Sequence, residues 1–134
     1  MSVRSQPTLT DAQAQLFLDP NFGVAALIRP DGTPHLSVVW VDWDGEHVLF
    51  NTAEGRAKPT YLRRDPRVTV FVMERDDPYT WISVSGSAEI DEEGTEEHIH
   101  KLSRKYDGRD FSIPEGQQRL LVKVTPERVD AYGV

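Results

Sequence analysis

The feature that most constrains the fold is a succession of short strand-forming segments joined by tight turns. Residues 23–29 are rich in strand formers and lead into the turn Pro30-Asp-Gly-Thr33, after which residues 35–43 form a second such segment. Asp44-Gly45 makes another tight turn before a third segment at residues 47–52. Because tight turns join neighbouring strands in antiparallel orientation, the sequence predicts a three-stranded meander.

The rest of the chain adds strands without crossover helices. A threonine N-cap and an apolar face predict a short helix within residues 8–18, and Pro59 fits only the first turn of a helix over residues 57–64. The remaining predicted elements are strands at 67–73 and 80–90, an exposed helix at 92–106, a loop at 107–116, and a closing strand at 120–125 and 128–132 that Pro126 interrupts. Six mostly antiparallel strands with short helices predict a mainly β fold, a small barrel rather than a doubly wound sheet.

Length and composition limit the class of protein. The 134 residues provide one sizeable core, so residues 1–134 are predicted to form a single domain. The absence of cysteine excludes disulfides, thiolate metal sites and cysteine nucleophiles. No apolar run approaches the roughly 20 residues that span a bilayer, and residues 1–7 offer no apolar stretch for a signal peptide. We therefore expect a cytoplasmic protein with no membrane partner.

The charge of the chain is acidic overall and uneven. A net charge of −7 argues against a nucleic-acid surface, because binding phosphate backbones requires a basic face. Against this background five basic residues fall close together, a basic island made of Arg56, Lys58, Arg63, Arg64 and Arg67. From charge alone this island is equally compatible with a site for a small anionic ligand and with a solvated helix face.

The segment from Thr52 to Lys58 has the composition of a phosphate cradle. A predicted strand ends at Thr52, a loop with Gly55 follows, and a helix begins near Lys58. Unpaired N–H groups and the helix dipole attract anions at a helix start, and Arg56 and Lys58 add two cations. The segment lacks the glycine spacing of a Walker loop. A solvated helix start is the alternative interpretation.

No metal site and no catalytic side chain are predicted. His98 and His100 are two residues apart on a predicted helix, so they face different directions, and both are interpreted as solvated. The sequence contains no Gly-x-Ser-x-Gly nucleophile motif. Ser83 and Ser85 are interpreted as the polar face of a strand.

Four segments occur in an order and at a spacing that resemble one known family. They are Pro34-His-Leu-Ser-Val-Val-Trp40, Thr52-Ala-Glu-Gly-Arg-Ala-Lys58, Leu62-Arg-Arg-Asp-Pro-Arg-Val-Thr-Val70 and Pro78-Tyr-Thr-Trp-Ile-Ser-Val-Ser-Gly86. From about Leu16 onward the chain resembles the split β-barrel flavin-binding superfamily typified by pyridoxamine 5′-phosphate oxidase. Within it, the chain is most similar to the branch of F420-dependent oxidoreductases. The resemblance implies a six-stranded antiparallel split barrel that forms a homodimer, with cofactor sites at the subunit interface.

The resemblance also implies the residues of the cofactor site. Arg56, Ala57 and Lys58 would hold the cofactor phosphate, with support from Asn51 and Thr52. The other implied contacts are the second strand along the ring (His35, Leu36, Ser37, Val38) and two residues from the partner protomer (Tyr79, Trp81). Tyr61 stands where related chains often have asparagine.

The implied function is that of an F420-dependent oxidoreductase, which transfers a hydride from reduced deazaflavin to a small organic acceptor. No catalytic side chain is needed, because a flavin or deazaflavin carries the hydride chemistry itself. One alternative keeps the fold and binds FMN. Another is a non-enzymatic carrier of the cofactor or of haem.

The aromatic residues give an independent reason to expect a dimer. Trp40, Trp43, Tyr79 and Trp81 are spread over several strands of a barrel too small to bury them all. Aromatic side chains are enriched at interfaces. The alternative is that all four belong to the core.

Overall fold

A computed structural model describes residues 7–134, so most of the segment predicted to lack a signal peptide lies outside the described residues. The elements in chain order are α1 (Asp11–Leu18), β1 (Phe22–Ile28), β2 (Pro34–Trp43), β3 (Val48–Ala53), α2 (Ala57–Arg64), β4 (Arg67–Glu74), β5 (Asp77–Asp91), α3 (Thr95–Asp107) and β6 (Arg119–Tyr132). Within residues 7–134, no helix has the length and apolar character needed to cross a membrane.

The strands close into a barrel in the order β1-β2-β3-β6-β5-β4, and every neighbouring pair is antiparallel. This confirms the predicted six-stranded, mainly β barrel with short helices. The meander of β1, β2 and β3 is confirmed as well, with its first turn at residues 30–33 and its second at 44–47. The bounds of α2 are those that the sequence predicts.

Alternate residues of each strand point into the barrel, as the two-residue period of a β-strand requires. Ala25 and Leu27 of β1 are fully buried, and so are Val70 and Val72 of β4. At one end α1 contributes Phe17, which is also fully buried, to this core. Thr10 caps α1 through a reciprocal bond with Gln13, which fixes where the helix begins.

The barrel opens between β2 and β3. Residues 34–40 of β2 pair with β1, whereas only residues 41–43 pair with β3. The last residues of β3, from Asn51 to Ala53, pair with β6 alone. The two strands therefore diverge where β2 precedes Val41 and β3 continues beyond Phe50, and they leave a gap in the barrel wall there.

Three predicted elements differ from the structure. The strand predicted over 80–90 begins three residues earlier, because β5 spans Asp77–Asp91. The closing strand is continuous, because β6 passes through Pro126 with a register shift opposite Ser85 and Gly86 instead of ending there. A Cβ on Gly86 would lie 1.8 Å from the Thr125 carbonyl oxygen, so only glycine allows this close approach. The helix predicted over 92–106 begins at Thr95, after Gly94 adopts a left-handed conformation with φ +67°.

Candidate functional site

A cleft of about 200 Å³ lies in the gap between β2 and β3. One wall is β2, the floor is the end of β3, and residues from α2, α3 and β6 complete it. Its lining residues are Val38, Val39, Trp40, Asn51, Thr52, Arg56, Lys58, Ile99, Leu102, Phe111 and Arg119.

The start of α2 faces this cleft with unsatisfied donors. Gly55, at φ +89°, turns the chain after β3, and Arg56 then takes the N-cap position in an extended conformation. No side chain among the described residues caps this helix start. The first-turn N–H groups of a helix have no intrahelical acceptor, and the helix dipole adds positive potential there. The helix start is therefore suited to an anion.

Three cationic side chains line the cleft, those of Arg56, Lys58 and Arg119. None of the lining residues is acidic. Burial lowers the pKa of Lys58, and the neighbouring charge of Arg56 lowers it further. Burial likewise lowers the pKa of Arg119 to about 10, again with a contribution from Arg56. Both pKa shifts have the same causes, burial and a neighbouring positive charge. A bound anion would stabilise the charged form of both side chains.

Thr52 supplies a polar group without a partner at the floor of the cleft. Its side chain is 1% exposed, and its hydroxyl makes no hydrogen bond within residues 7–134. His35 Nδ1 and Ser37 Oγ are buried and unpartnered in the same way. All three lie on the two strands that flank the gap. Because an unsatisfied buried hydroxyl is costly, the Thr52 hydroxyl fits a ligand oxygen, as a phosphate group would provide.

Behind the cationic side chains runs a hydrogen-bond chain from β6 to β2. Arg119 Nε donates to Asn51 Oδ1 at 2.9 Å, and Asn51 Nδ2 donates to the Thr95 carbonyl at 3.0 Å. Asn51 Nδ2 also lies 3.3 Å from His98 Nδ1, and His98 Nε2 lies 3.3 Å from Asp42 Oδ2. An amide nitrogen only donates, so His98 Nδ1 accepts and its ring hydrogen, on Nε2, is donated to Asp42.

The prediction that His98 is solvated is wrong. Its residue is 8% exposed, because α3 packs the face formed by His98, Ile99 and Leu102 against the barrel. The spacing of these residues is that of one helix face, and this signal was available in the sequence. His100 is half-buried rather than solvated, and its Nδ1 accepts a hydrogen bond from the Phe111 backbone.

Asp42 ends this chain as a buried carboxylate that is 2% exposed. Burial by itself raises its pKa, but hydrogen bonds from His98 and Lys101 outweigh burial and lower the pKa of Asp42 to about 2. The Lys101 ammonium donates to the same oxygen at 2.9 Å. The negative charge near the cleft is thus already neutralised on the far side of His98.

An aromatic wall closes one side of the cleft. Trp40 stacks on Tyr106 with ring centroids 5.4 Å apart and meets the edge of Phe111 at 6.4 Å. The Arg119 guanidinium lies 5.0 Å above the Phe111 ring. The Tyr106 hydroxyl anchors this wall, because it donates to the Asn21 carbonyl and accepts from the Val41 N–H.

The structure brings only part of the predicted site together. Val38, Asn51, Thr52, Arg56 and Lys58 line the cleft, and Ala57 lies between the last two on α2. The other predicted residues do not line it within one chain: His35, Leu36, Ser37, Tyr79 and Trp81.

His35, Leu36, Tyr79 and Trp81 have other surroundings. The His35 ring lies 5.3 Å from the ring of Tyr61, while Leu36 is 62% exposed on the outer surface of β2. Tyr79 is 73% exposed on β5, and the Trp81 ring packs 5.7 Å from Phe71.

Sequence reasoning missed six lining residues: Val39, Trp40, Ile99, Leu102, Phe111 and Arg119. Arg119 is the most informative of them, since it is a cation that opens the apolar run Leu120-Leu-Val. A charge at the start of a buried strand was the available signal.

Comparisons with known proteins agree with this architecture. The sequence model of the pyridoxamine 5′-phosphate oxidase family matches residues 9–133. The structure of an F420 reductase is 30% identical, with a TM-score of 0.80 over 91% of this chain and 98% of that chain. A conserved hypothetical protein from Mycobacterium tuberculosis is 28% identical, with a TM-score of 0.71 over 98% and 89% of the two chains. The HupZ protein of Group A Streptococcus, at 17% identity and a TM-score of 0.71 over 92% and 94%, shares the fold.

Proposed function

The chain belongs to the pyridoxamine 5′-phosphate oxidase family, and from this premise we propose that it is an F420-dependent oxidoreductase. It binds the deazaflavin in the cleft between β2 and β3 and transfers a hydride to a small organic acceptor. The family and the 30% identical F420 reductase both support binding of a flavin or deazaflavin. The choice of F420 over FMN is supported by that reductase, because the match covers 91% of this chain and 98% of the reductase chain.

The observation that carries the proposal is the unpaired positive charge of the cleft. Arg56 and Lys58 make no ion pair within residues 7–134, and the Thr52 hydroxyl beside them has no partner. A phosphate group satisfies all three, because it carries negative charge and several acceptor oxygens. Both F420 and FMN carry a phosphate group.

The residues of the chain bind and orient, and a bound deazaflavin supplies the hydride. Arg56 and Lys58 hold the phosphate, and Thr52 donates its hydroxyl hydrogen to a phosphate oxygen. The wall formed by Val38 and Trp40 excludes water from one side of the ring, which protects a hydride from side reactions. Ala57 contributes its backbone N–H at the helix start.

We further propose that the active form is a homodimer with two cofactor sites at the subunit interface. Directly opposed residues of antiparallel strands share a face, so the strand register assembles one apolar outer surface. It consists of Phe22, Trp40, Val24, Val38, Phe71, Met73, Trp81 and Tyr132. Three of these residues, Phe22, Val38 and Tyr132, are more than half exposed, and a contiguous exposed apolar surface is typical of an interaction site.

The cleft and this apolar surface share β2. Val38, which is 68% exposed, and Trp40 belong to both. A second copy seated on the apolar surface would therefore border the cleft. This supports the expectation that Tyr79 and Trp81 reach the site from the partner protomer. A second copy there would also cover Leu36, which lies two residues from Val38 on the same face of β2.

Fluorescence titration of the purified protein with F420 and with FMN tests the proposed cofactor. We expect tighter binding of F420. Tighter binding of FMN would instead favour the FMN-dependent alternative, and failure of both to bind at micromolar protein would contradict the site. Oxidation of reduced F420 by a panel of electrophilic acceptors then separates an enzyme from a carrier, which binds without turnover.

Sedimentation velocity tests the dimer. We expect the wild-type chain to sediment as a dimer and Leu36→Asp to shift it towards monomer, because a charge would be buried in the apolar interface. Leu18→Asp, at an exposed apolar position at the end of α1, is the matched control. A wild-type monomer at micromolar concentration would contradict the proposal.

A further inference from the structure

Arg119 is a buried cation that lacks an ion-pair partner in the described part of the chain. Its residue is 4% exposed, and no ion pair in residues 7–134 includes it. Its polar partners are neutral: Nε donates to Asn51 Oδ1 at 2.9 Å and Nη1 donates to Gln117 Oε1 at 3.0 Å. Buried charges in proteins are normally paired, since removing an unpaired charge from water is very unfavourable. Arg119 departs from this rule at the place where it lines the cleft.

The geometry leaves one end of the guanidinium available. Nη2 makes no hydrogen bond within the described part of the chain, whereas the other two nitrogens are engaged. The planar group lies over Phe111, which restricts its tilt. Lys58 and Arg56 line the same cleft, so an anion there would meet three cations from two separate parts of the chain.

We propose that Arg119 is a third anion-binding residue of this cleft, with Nη2 directed at the phosphate, and that Asn51 positions it. The inference deepens the proposed function, because the anion it implies is the phosphate of the proposed cofactor. Asn51 is suited to positioning rather than to ligand binding, since both ends of its amide are already engaged. His98 and Asp42 hold Asn51 in turn through the hydrogen-bond chain.

The chain determines which way the Asn51 amide points. Its nitrogen donates to the Thr95 carbonyl and lies beside His98 Nδ1, which accepts. The amide oxygen is therefore turned towards Arg119 and can only accept from its Nε. A reversed amide would place two donors against each other. The direction of Arg119 is thus fixed by residues of β2, β3 and α3.

Thermal unfolding in inorganic phosphate tests the role of Arg119 without any cofactor. We expect phosphate to raise the Tm of the wild-type chain above that in sodium chloride of equal ionic strength. Arg119→Met should lose most of this rise, and Arg104→Met, on the exposed surface of α3, should keep it. A variant Arg119→Met that retains the full phosphate-induced rise would overturn the proposal.

Affinity for the phosphate-containing cofactor gives the second measurement. We expect Arg119→Met to weaken binding of F420 or FMN by about tenfold to a hundredfold, the range of a charge-assisted hydrogen bond. Arg119→Lys keeps the charge but cannot contact Asn51 and an anion with the same fork, so its loss should be intermediate. Should Arg119→Met fail to fold, full affinity of Arg119→Lys would overturn the proposal instead.

Asn51→Asp tests the positioning role. The new carboxylate would pair with Arg119 and compete with an external anion, so affinity should fall while the chain stays folded. Unchanged affinity would overturn the assignment of Asn51.

The results separate this inference from the proposed function. Phosphate stabilisation that depends on Arg119, without binding of F420 or FMN, would support the inference and contradict the cofactor assignment. Cofactor binding that is equal in the wild-type chain and in Arg119→Met would do the reverse.

Discussion

The two ends of the basic island look alike in the sequence and differ in the structure. Arg63 makes a bidentate ion pair with Glu54 at 2.6 and 2.7 Å, and Arg67 pairs with Asp65 at 2.7 Å. At the other end, Arg56 and Lys58 have no acidic partner among the described residues, and they line the cleft. Arg64, between the two ends, makes no ion pair among the described residues either, but it donates a hydrogen bond to the Pro30 carbonyl and does not line the cleft. Unpaired positive charge that lines a cleft, rather than the number of basic residues, therefore distinguishes the candidate anion site from a solvated surface.

The distinction extends to the ionisation of the acidic partners. The pKa of Asp65 is lowered to about 2 by hydrogen bonds from Arg67, and the pKa of Glu54 is lowered by its bond to Arg63. Arg63 and Arg67 are thus paired with carboxylates of the same chain, and both arginine side chains are exposed to solvent. Exposed pairs of this kind contribute little to stability and leave little charge for a ligand.

The largest effect is expected at the unpaired end. Lys58→Ala should weaken cofactor binding by roughly 1.5–3 kcal/mol, about tenfold to 150-fold, because a charge-assisted hydrogen bond to phosphate is lost. Fluorescence titration measures this change, with Arg104→Ala on the exposed face of α3 as the control. Equal effects of the two substitutions would remove the basis of the comparison.

Asp42, a buried carboxylate with hydrogen-bond partners, should instead make the free energy of unfolding depend on pH. The folded pKa of Asp42, about 2, lies below its ordinary value of 3.8, so the folded state binds fewer protons between these values. Its stabilising contribution, about 2 kcal/mol, is present above pH 4 and is lost as the pH falls towards 2. Urea unfolding of the wild-type chain and of Asp42→Asn across this range measures it. If the free energy of unfolding of the wild-type chain fell with acid no more than that of Asp42→Asn, the assignment would be contradicted.

The local features of the fold could be predicted from the sequence, and the contacts across it could not. Turn residues at 30–33 and 44–45 and the strand-forming segments predict the meander, because their signals lie within a few neighbouring residues. Arg119 and Asn51 are 68 positions apart and meet only because β6 pairs with β3. Pairing between distant strands leaves no mark in the sequence near either residue.

His98 illustrates an intermediate case. Treating His98 and His100 as one pair led to the prediction of a solvated helix, whereas the spacing of His98, Ile99 and Leu102 places three residues on one buried face. The candidate anion site at Thr52 to Lys58 could be proposed from the sequence because helix-start chemistry is local. The third cation that lines the cleft, Arg119, comes from β6, the last strand.

The smallest effect is expected at the paired end of the island. Arg63→Ala should change cofactor affinity by less than about twofold, because its charge is already balanced by Glu54 and exposed charges are screened by salt. The same fluorescence titration applies. A loss as large as that of Lys58→Ala would show that pairing does not separate the two ends.

A crystal structure of the protein with F420 or FMN bound tests the central claim most directly. We expect the phosphate in the cleft between β2 and β3, within hydrogen-bonding distance of Lys58 and the Thr52 hydroxyl. A phosphate bound instead beside Arg63 and Arg67, at the paired end of the island, would contradict the account.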